Sequence, residues 1–109
     1  MFEWTTLTEV LGHSVLEPSE ADMRRALSDL FAGSADAEHP DTWVECGTEA
    51  GPLYCISVYA SGYAIFTKYS DADMTAELEK KTIQPVDLEG ALTLWRNLAA
   101  GKMPWRTAR

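Results

Sequence analysis

The chain has 109 residues, of which 46% are hydrophobic and 24% are charged. This size and composition predict one folded domain, residues 1–109, and exclude a disordered chain. Seventeen acidic and nine basic residues give a net charge of −8, which argues against nucleic-acid binding because nucleic-acid binders present basic surfaces. No apolar run approaches the roughly 20 residues that a membrane-spanning helix needs, so we expect no membrane partner.

The N-terminal residues 2–9, FEWTTLTE, are rich in aromatic and β-branched types, which favours an edge strand. The first ten residues include the acidic Glu3 and no basic residue, so they do not resemble a secretory signal. Two cysteines in a chain that is not exported indicate a reducing compartment and free thiols. We therefore expect a cytoplasmic protein.

The first predicted helix lies within PSEADMRRALSDLFAG, residues 18–33. Ser19 occupies the N-cap position with Asp22 three residues later, and Gly33 is placed to end the helix. Five apolar residues recur at helical spacing and predict one buried stripe: Met23, Ala26, Leu27, Leu30 and Phe31.

The next segment, CGTEAGPLYCISVYASGYAIFTKY, residues 46–69, predicts antiparallel strands. A turn at Ser61-Gly62 would place Val58 opposite Ile65, and a turn at Ala50-Gly51 would place Trp43 beside Val58. The core face of this register carries Trp43, Tyr54, Ile56, Val58, Ala60, Tyr63, Ile65 and Tyr69. The other face is more apolar than a solvated face should be and carries Val44, Cys46, Leu53, Cys55, Ser57, Tyr59, Ala64, Phe66 and Lys68.

The C-terminal part begins with SDADMTAELEKKTIQP, residues 70–85, which predicts a helical turn at 74–78 and an extended piece at 81–84. Asp87 then caps a second helix, which Gly101 ends. The apolar stripe of this helix is Leu88, Ala91, Leu92, Trp95, Leu98 and Ala99. The predicted fold class is therefore α+β, with an antiparallel sheet of three to five strands packed on one face by two helices.

No pattern in the chain predicts a catalytic, cofactor or metal site, and we expect no enzymatic activity. In the predicted register Cys46 lies opposite Cys55, which would permit a disulfide, but a reducing compartment favours two thiols. Two cysteines and two distant histidines do not form the closely spaced ligand set of structural zinc. Asp71 and Asp73 could hold a hard cation, although two carboxylates in a loop are common turn chemistry.

Three segments resemble the immunity proteins of bacterial polymorphic-toxin systems. They are EPSEADMRRALSDLF, TWVECGTEAGPLYCISVYASGYAIFTKY and VDLEGALTLWRNLAAGKMPW, which extend over about residues 17–105. The resembling features are a helix after a Pro-Ser turn, a Trp-led strand, a meander with a glycine-containing turn, and a C-terminal pattern of Ala91, Leu94, Trp95, Leu98, Gly101 and Pro104. The resemblance implies a small cytoplasmic antitoxin without catalytic residues, which binds and blocks a cognate toxin domain.

The acidic residues point to the kind of partner. Residues 36–79 hold nine of the 17 acidic residues and one of the nine basic ones, so this segment carries the whole net charge and would attract a basic protein. Because interface anchors are commonly aromatic, we expect Tyr59 and Phe66 to bind the toxin, surrounded by Asp41, Glu49, Asp71 and Asp73. A monomer is favoured. The alternative is a small acidic secretion chaperone, which would use the same face to dimerise or to hold a client.

Overall fold

The computed structural model describes residues 4–9, 13–32, 41–49, 51–71 and 73–101. The described residues form two strands, a helix, four more strands and a second helix along the chain, which confirms the α+β class, and the sheet has six strands instead of the expected three to five. The elements are β1 (Trp4–Thr8), β2 (Ser14–Leu16), α1 (Glu20–Phe31), β3 (Asp41–Gly47), β4 (Leu53–Tyr59), β5 (Tyr63–Tyr69), β6 (Glu77–Ile83) and α2 (Leu88–Ala99).

All six strands form one antiparallel sheet in the order β2-β1-β3-β4-β5-β6. Both helices pack against the same face, which we call the helix face. One row of paired residues crosses this face through the middle of the sheet, and each side chain in it is at most 1% exposed: Leu7, Val44, Ile56 and Phe66. This row, together with the apolar stripes of the two helices, forms the core.

The helices begin and end where local chemistry predicts. Ser19 and Asp22 form a capping box, in which each side chain accepts a hydrogen bond from the backbone of the other residue. The carboxylate of Asp87 accepts a 2.8 Å hydrogen bond from the backbone N–H of Gly90. Gly101 follows α2 with a φ of +83°, a conformation that favours glycine after a helix end. The expected role of Gly33 lies outside the described residues.

Trp95 joins α2 to the middle of the sheet by packing and by a hydrogen bond. Its side chain is fully buried, and its indole N–H donates a 3.0 Å hydrogen bond to the backbone carbonyl of Ile56 in β4. A buried indole loses free energy when its N–H lacks a partner, so this contact satisfies the polar part of the largest core side chain. The prediction that Trp95 belongs to the core is confirmed.

The predicted register between β4 and β5 is wrong by one residue. Tyr59, not Ala60, pairs with Tyr63, so the loop contains three residues, and it ends at Gly62 with a φ of +102°. Glycine at the third position of such a loop is a common hairpin solution. Because side chains alternate between faces, the shift moves every residue of β5 to the other face: Ala64 and Phe66 enter the core, whereas Tyr63, Ile65 and Tyr69 lie on the opposite face.

The same error affects β3. Gly47 pairs with Leu53, so the loop between β3 and β4 spans residues 48–52, longer than the predicted two-residue turn. Trp43 therefore lies opposite Ser57, not Val58, and faces away from the helices with a half-buried side chain. The prediction that Trp43 belongs to the core is wrong.

Of the two outermost strands of the described sheet, β2 was not predicted and β6 was predicted only in part. β2 has three residues, and it makes β1 an interior strand instead of the expected edge. Beyond β2, Glu17 occupies both backbone groups of Thr5: its N–H donates to the Thr5 carbonyl at 2.8 Å, and its carboxylate accepts from the Thr5 N–H at 3.3 Å.

β6, on the opposite side, begins at Glu77 within the predicted helical turn, residues 74–78, and contains residues 81–83 of the predicted extended piece. Its charged residues are Glu77, Glu79, Lys80 and Lys81, and a bulge leaves Leu78 without a register partner. Charges and bulges are the common features that disfavour pairing at the edge of a sheet.

Candidate partner-binding face

The face of the sheet opposite the helix face carries no described helix or strand, and we call it the open face. Its positions follow from the register of the six strands. Its aromatic residues are Trp4, Trp43, Tyr59, Tyr63 and Tyr69. Its charged residues are Asp41, Glu45, Glu77 and Lys80.

One side of the open face is packed by its own side chains. Trp4, Gly47, Leu53 and Tyr69 form a row across four strands. A Cβ atom at Gly47 would lie 2.9 Å from Cζ2 of Trp4 and 3.4 Å from Cδ1 of Leu53, so the indole occupies the space that this glycine leaves. Leu53 is only 1% exposed. This end of the open face is therefore close-packed.

The opposite end presents two stacked tyrosines. The rings of Tyr59 and Tyr63 have centroids 4.6 Å apart and planes within 7° of each other. Asp41, the first residue of β3, occupies the register position opposite Tyr59, the last residue of β4. Burial and the charge of Asp41 raise the pKa of the Tyr59 hydroxyl, so Tyr59 is a neutral hydroxyl at neutral pH.

Acidic and aromatic side chains alternate along the open face of β3. The order is Asp41, Trp43 and Glu45, and all three side chains are half-buried. The indole N–H of Trp43 donates a 3.1 Å hydrogen bond to the carboxylate of Glu45. This bond fixes the ring beside a negative charge, so a cation near β3 would meet both an aromatic surface and carboxylates.

The structure divides the residues predicted to bind the partner between two ends of the sheet. Asp41 and Tyr59 lie together at the end where β3 begins. Glu49, in the loop between β3 and β4, and Asp71 and Asp73, in the loop between β5 and β6, lie at the other end. The predicted ring of acidic residues around Tyr59 is therefore reduced to Asp41.

Phe66 does not belong to the open face. It is 1% exposed in the core beneath the helices, and its ring stacks on Tyr54 with centroids 6.2 Å apart. The prediction that Phe66 shares a less buried face with Tyr59 is wrong, because the three-residue loop before β5 reverses the faces of that strand.

Asp71 has a local structural role in the loop before β6. Its carboxylate accepts 3.1 Å hydrogen bonds from the backbone N–H groups of Asp73 and Thr75. These bonds, above all those from Thr75, lower the pKa of the Asp71 carboxyl. The loop they organise holds Met74 at a φ of +58° with 43% of its surface exposed.

The two cysteines are buried, free and on opposite faces of the sheet. Cys46 pairs with Tyr54 on the helix face, whereas Cys55 pairs with Glu45 on the open face. Their side chains point apart, which rules out a disulfide between them, and the predicted placement of the two cysteines opposite each other is wrong. Burial raises the pKa of Cys46 to about 11 and that of Cys55 to about 12, so both are thiols at neutral pH.

Trp43, Glu45 and Tyr63 lie on the open face, although they were not predicted there. The alternation of polar and apolar residues in DTWVECG, residues 41–47, contained a signal: Asp41 and Glu45 fit a solvated face, and Trp43 shares their parity. For Tyr63 the corresponding signal was Gly62, since a glycine also suits the last position of a three-residue loop.

Comparisons with known proteins give no relative on which to base a function. No family model matches the chain, and no curated protein or solved structure does either. Within the described residues, no three histidine, cysteine or acidic side chains come together as a metal site would require. Neither of the two described helices has the length and apolar character needed to cross a membrane.

Proposed function

We propose that this chain is an immunity protein that binds a basic toxin domain through the open face of its sheet and thereby blocks the toxin. The observation that carries the proposal is the alternation of Asp41, Trp43 and Glu45 beside the stacked tyrosines, on a face without a described helix. Exposed faces that combine aromatic anchors with charges are typical of protein-binding surfaces. The resemblance of three sequence segments to immunity proteins supports the same function.

The chemistry of the described side chains also supports binding in preference to catalysis. A cysteine nucleophile needs a lowered pKa, whereas burial raises the pKa of both thiols far above neutrality. Arginines of α1 form surface ion pairs: Arg24 with Glu89 of α2 at 2.7 Å, and Arg25 with Glu9, which follows β1, at 3.1 Å. These ion pairs lie at the protein surface outside the open face, so they do not suggest a catalytic site.

The charge of the open face favours a basic partner over a second copy of the chain. Three of its four charged residues are acidic: Asp41, Glu45 and Glu77 against Lys80. Two such faces brought together would place like charges opposite each other, which is costly at an interface. A basic surface would instead gain from the same charges and associate faster at low salt.

Co-expression with a toxin tests the proposal. The toxin domain encoded beside the gene for this chain is produced in bacteria with the chain or with Trp43→Ala. We expect the chain to restore growth and Trp43→Ala to weaken toxin binding by about tenfold or more, because central aromatic anchors dominate interfaces. Asp29→Asn, on the exposed side of α1, is the control and should protect fully.

Failure to restore growth, or an adjacent gene that encodes no toxin, would overturn the immunity function. The secretion-chaperone alternative predicts a dimer, so the mass in solution is measured over a wide range of concentration. A monomer at all concentrations is expected, and a stable dimer with an adjacent secreted client would favour the chaperone.

A further inference from the structure

The stacked tyrosines have a geometry that selects one kind of side chain. Their centroid separation of 4.6 Å is close to the spacing of neighbouring strands, about 4.8 Å, so the two rings stack face to face across β4 and β5. One ring face of Tyr59 is covered by Tyr63. The other ring face is therefore turned toward β3, where Asp41 lies opposite Tyr59.

An aromatic ring face beside a carboxylate suits a planar cation. A guanidinium stacks on an aromatic ring and at the same time donates paired hydrogen bonds to a carboxylate. An ammonium carries the same charge but has no plane to stack and no fork of donors. Asp41, Tyr59 and Tyr63 are all terminal residues of their strands, so the three side chains lie together at one end of the open face.

We propose that Asp41, Tyr59 and Tyr63 form a binding site for an arginine side chain of the partner protein. The guanidinium stacks on the outer ring face of Tyr59, which Tyr63 holds upright, and donates to the carboxylate of Asp41. The inference rests on the proposed function only for the identity of the partner, because the site itself can be tested without a toxin.

The test titrates the intact chain with three hexapeptides, in which glycine alternates with arginine, lysine or citrulline. Binding is followed by the NMR resonances of the tyrosine rings. We expect saturable binding of the arginine peptide, about fivefold weaker binding of the lysine peptide and no saturation with the neutral citrulline peptide. The shifts should be largest at Tyr59 and Tyr63.

Substitutions then distinguish binding at this site from nonspecific attraction by the net charge of the protein. Tyr59→Leu and Asp41→Asn should each weaken the arginine peptide about fivefold, whereas Tyr59→Phe, which keeps the ring, should bind within about twofold of the parent. Asp29→Asn removes the same charge from the helix side and should also stay within about twofold, since its effect is screened.

Three results would overturn the site. They are equal affinities for the arginine and lysine peptides, equal losses in Asp41→Asn and Asp29→Asn, or no nuclear Overhauser contact between the arginine side chain and the Tyr59 ring in the unsubstituted protein. The last measurement needs no variant, so it decides the matter even if Tyr59→Leu does not fold. A chain that binds the peptide at this site but gives no protection from the toxin would defeat the proposed function alone.

Discussion

The helix face and the open face belong to the same strands, but different contacts hold their side chains. On the helix face, the central row from Leu7 to Phe66 is sealed by two helices and contains only apolar side chains. On the open face, aromatic rings, hydroxyls and carboxylates are mixed, and large rings cover small neighbours, as Trp4 covers Gly47. The first face stabilises the fold, and the second is the face that we propose binds a partner.

This difference shows that hydrophobic content alone does not identify the core of a two-sided sheet. Trp43 and Phe66 are both large and aromatic, yet Phe66 is buried and Trp43 is not. Their places are decided by strand register, and the register depends on loops of three and five residues. In such a sheet, loop length is as informative as composition.

The largest expected effect is a difference in stability loss between substitutions of two tryptophans, Trp95 in the core and Trp43 on the open face. Trp95→Ala should lower the free energy of unfolding by about 3–5 kcal/mol, because it leaves a cavity between α2 and the sheet and removes the hydrogen bond from the indole to the Ile56 carbonyl. Trp43→Ala, on the open face, should cost only about 1–2 kcal/mol. Urea unfolding of both variants measures the difference. Equal losses would mean that the open face is as tightly packed as the core.

A second test addresses packing on the open face itself. Gly47→Ala should destabilise the protein by about 1–3 kcal/mol, because the new methyl group meets the Trp4 ring at 2.9 Å. In a Trp4→Ala background the same substitution should cost less, so a double-mutant cycle should give a clear coupling between the two positions. Additive effects would show that Trp4 does not occupy the space over Gly47.

The helices could be predicted from the sequence, whereas the faces of the sheet could not. Ser19, Asp22 and Asp87 act within one helical turn, so local patterns were sufficient for α1 and α2. β6 gave no alternation of apolar residues, because most of its side chains are exposed, and its strand structure depends on pairing with β5. Asp41 was expected near Tyr59 and lies opposite it, although in β3 and not in a loop. Phe66 was misplaced, since one additional loop residue reversed its face.

The alkylation rates of Cys46 and Cys55 report how accessible the helix face and the open face are to a small reagent. Because burial raises the pKa of Cys46 to about 11 and that of Cys55 to about 12, both should resist alkylation at neutral pH in the folded protein. Mass spectrometry after short exposure to an alkylating reagent measures this, with a urea-unfolded sample as the control in which both cysteines react. Rapid modification of Cys55 alone would show that the open face opens to reagents while the helix face stays closed.

The smallest expected effect concerns the loop at the close-packed end of the open face. Hydrogen bonds lower the pKa of Asp71 below its ordinary value of 3.8. The stabilisation from this carboxylate is therefore complete above that value and is lost as the pH falls through the lowered pKa. Amide hydrogen exchange should show Thr75 less protected in Asp71→Ala, whereas Asp73→Ala should leave it unchanged. Equal protection in all three proteins would contradict the role of Asp71.

The edges of the sheet have a consequence for how the protein meets other unfolded or extended chains. At one edge, beyond the short strand β2, the backbone N–H and the carboxylate of Glu17 hydrogen-bond to the backbone of Thr5. At the other edge, β6 contains a bulge, two acidic residues and two basic residues. Neither edge offers the long, flat and uncharged row of backbone groups that templates fibrils or strand exchange. The described edges therefore disfavour contacts in which one copy extends the sheet of another.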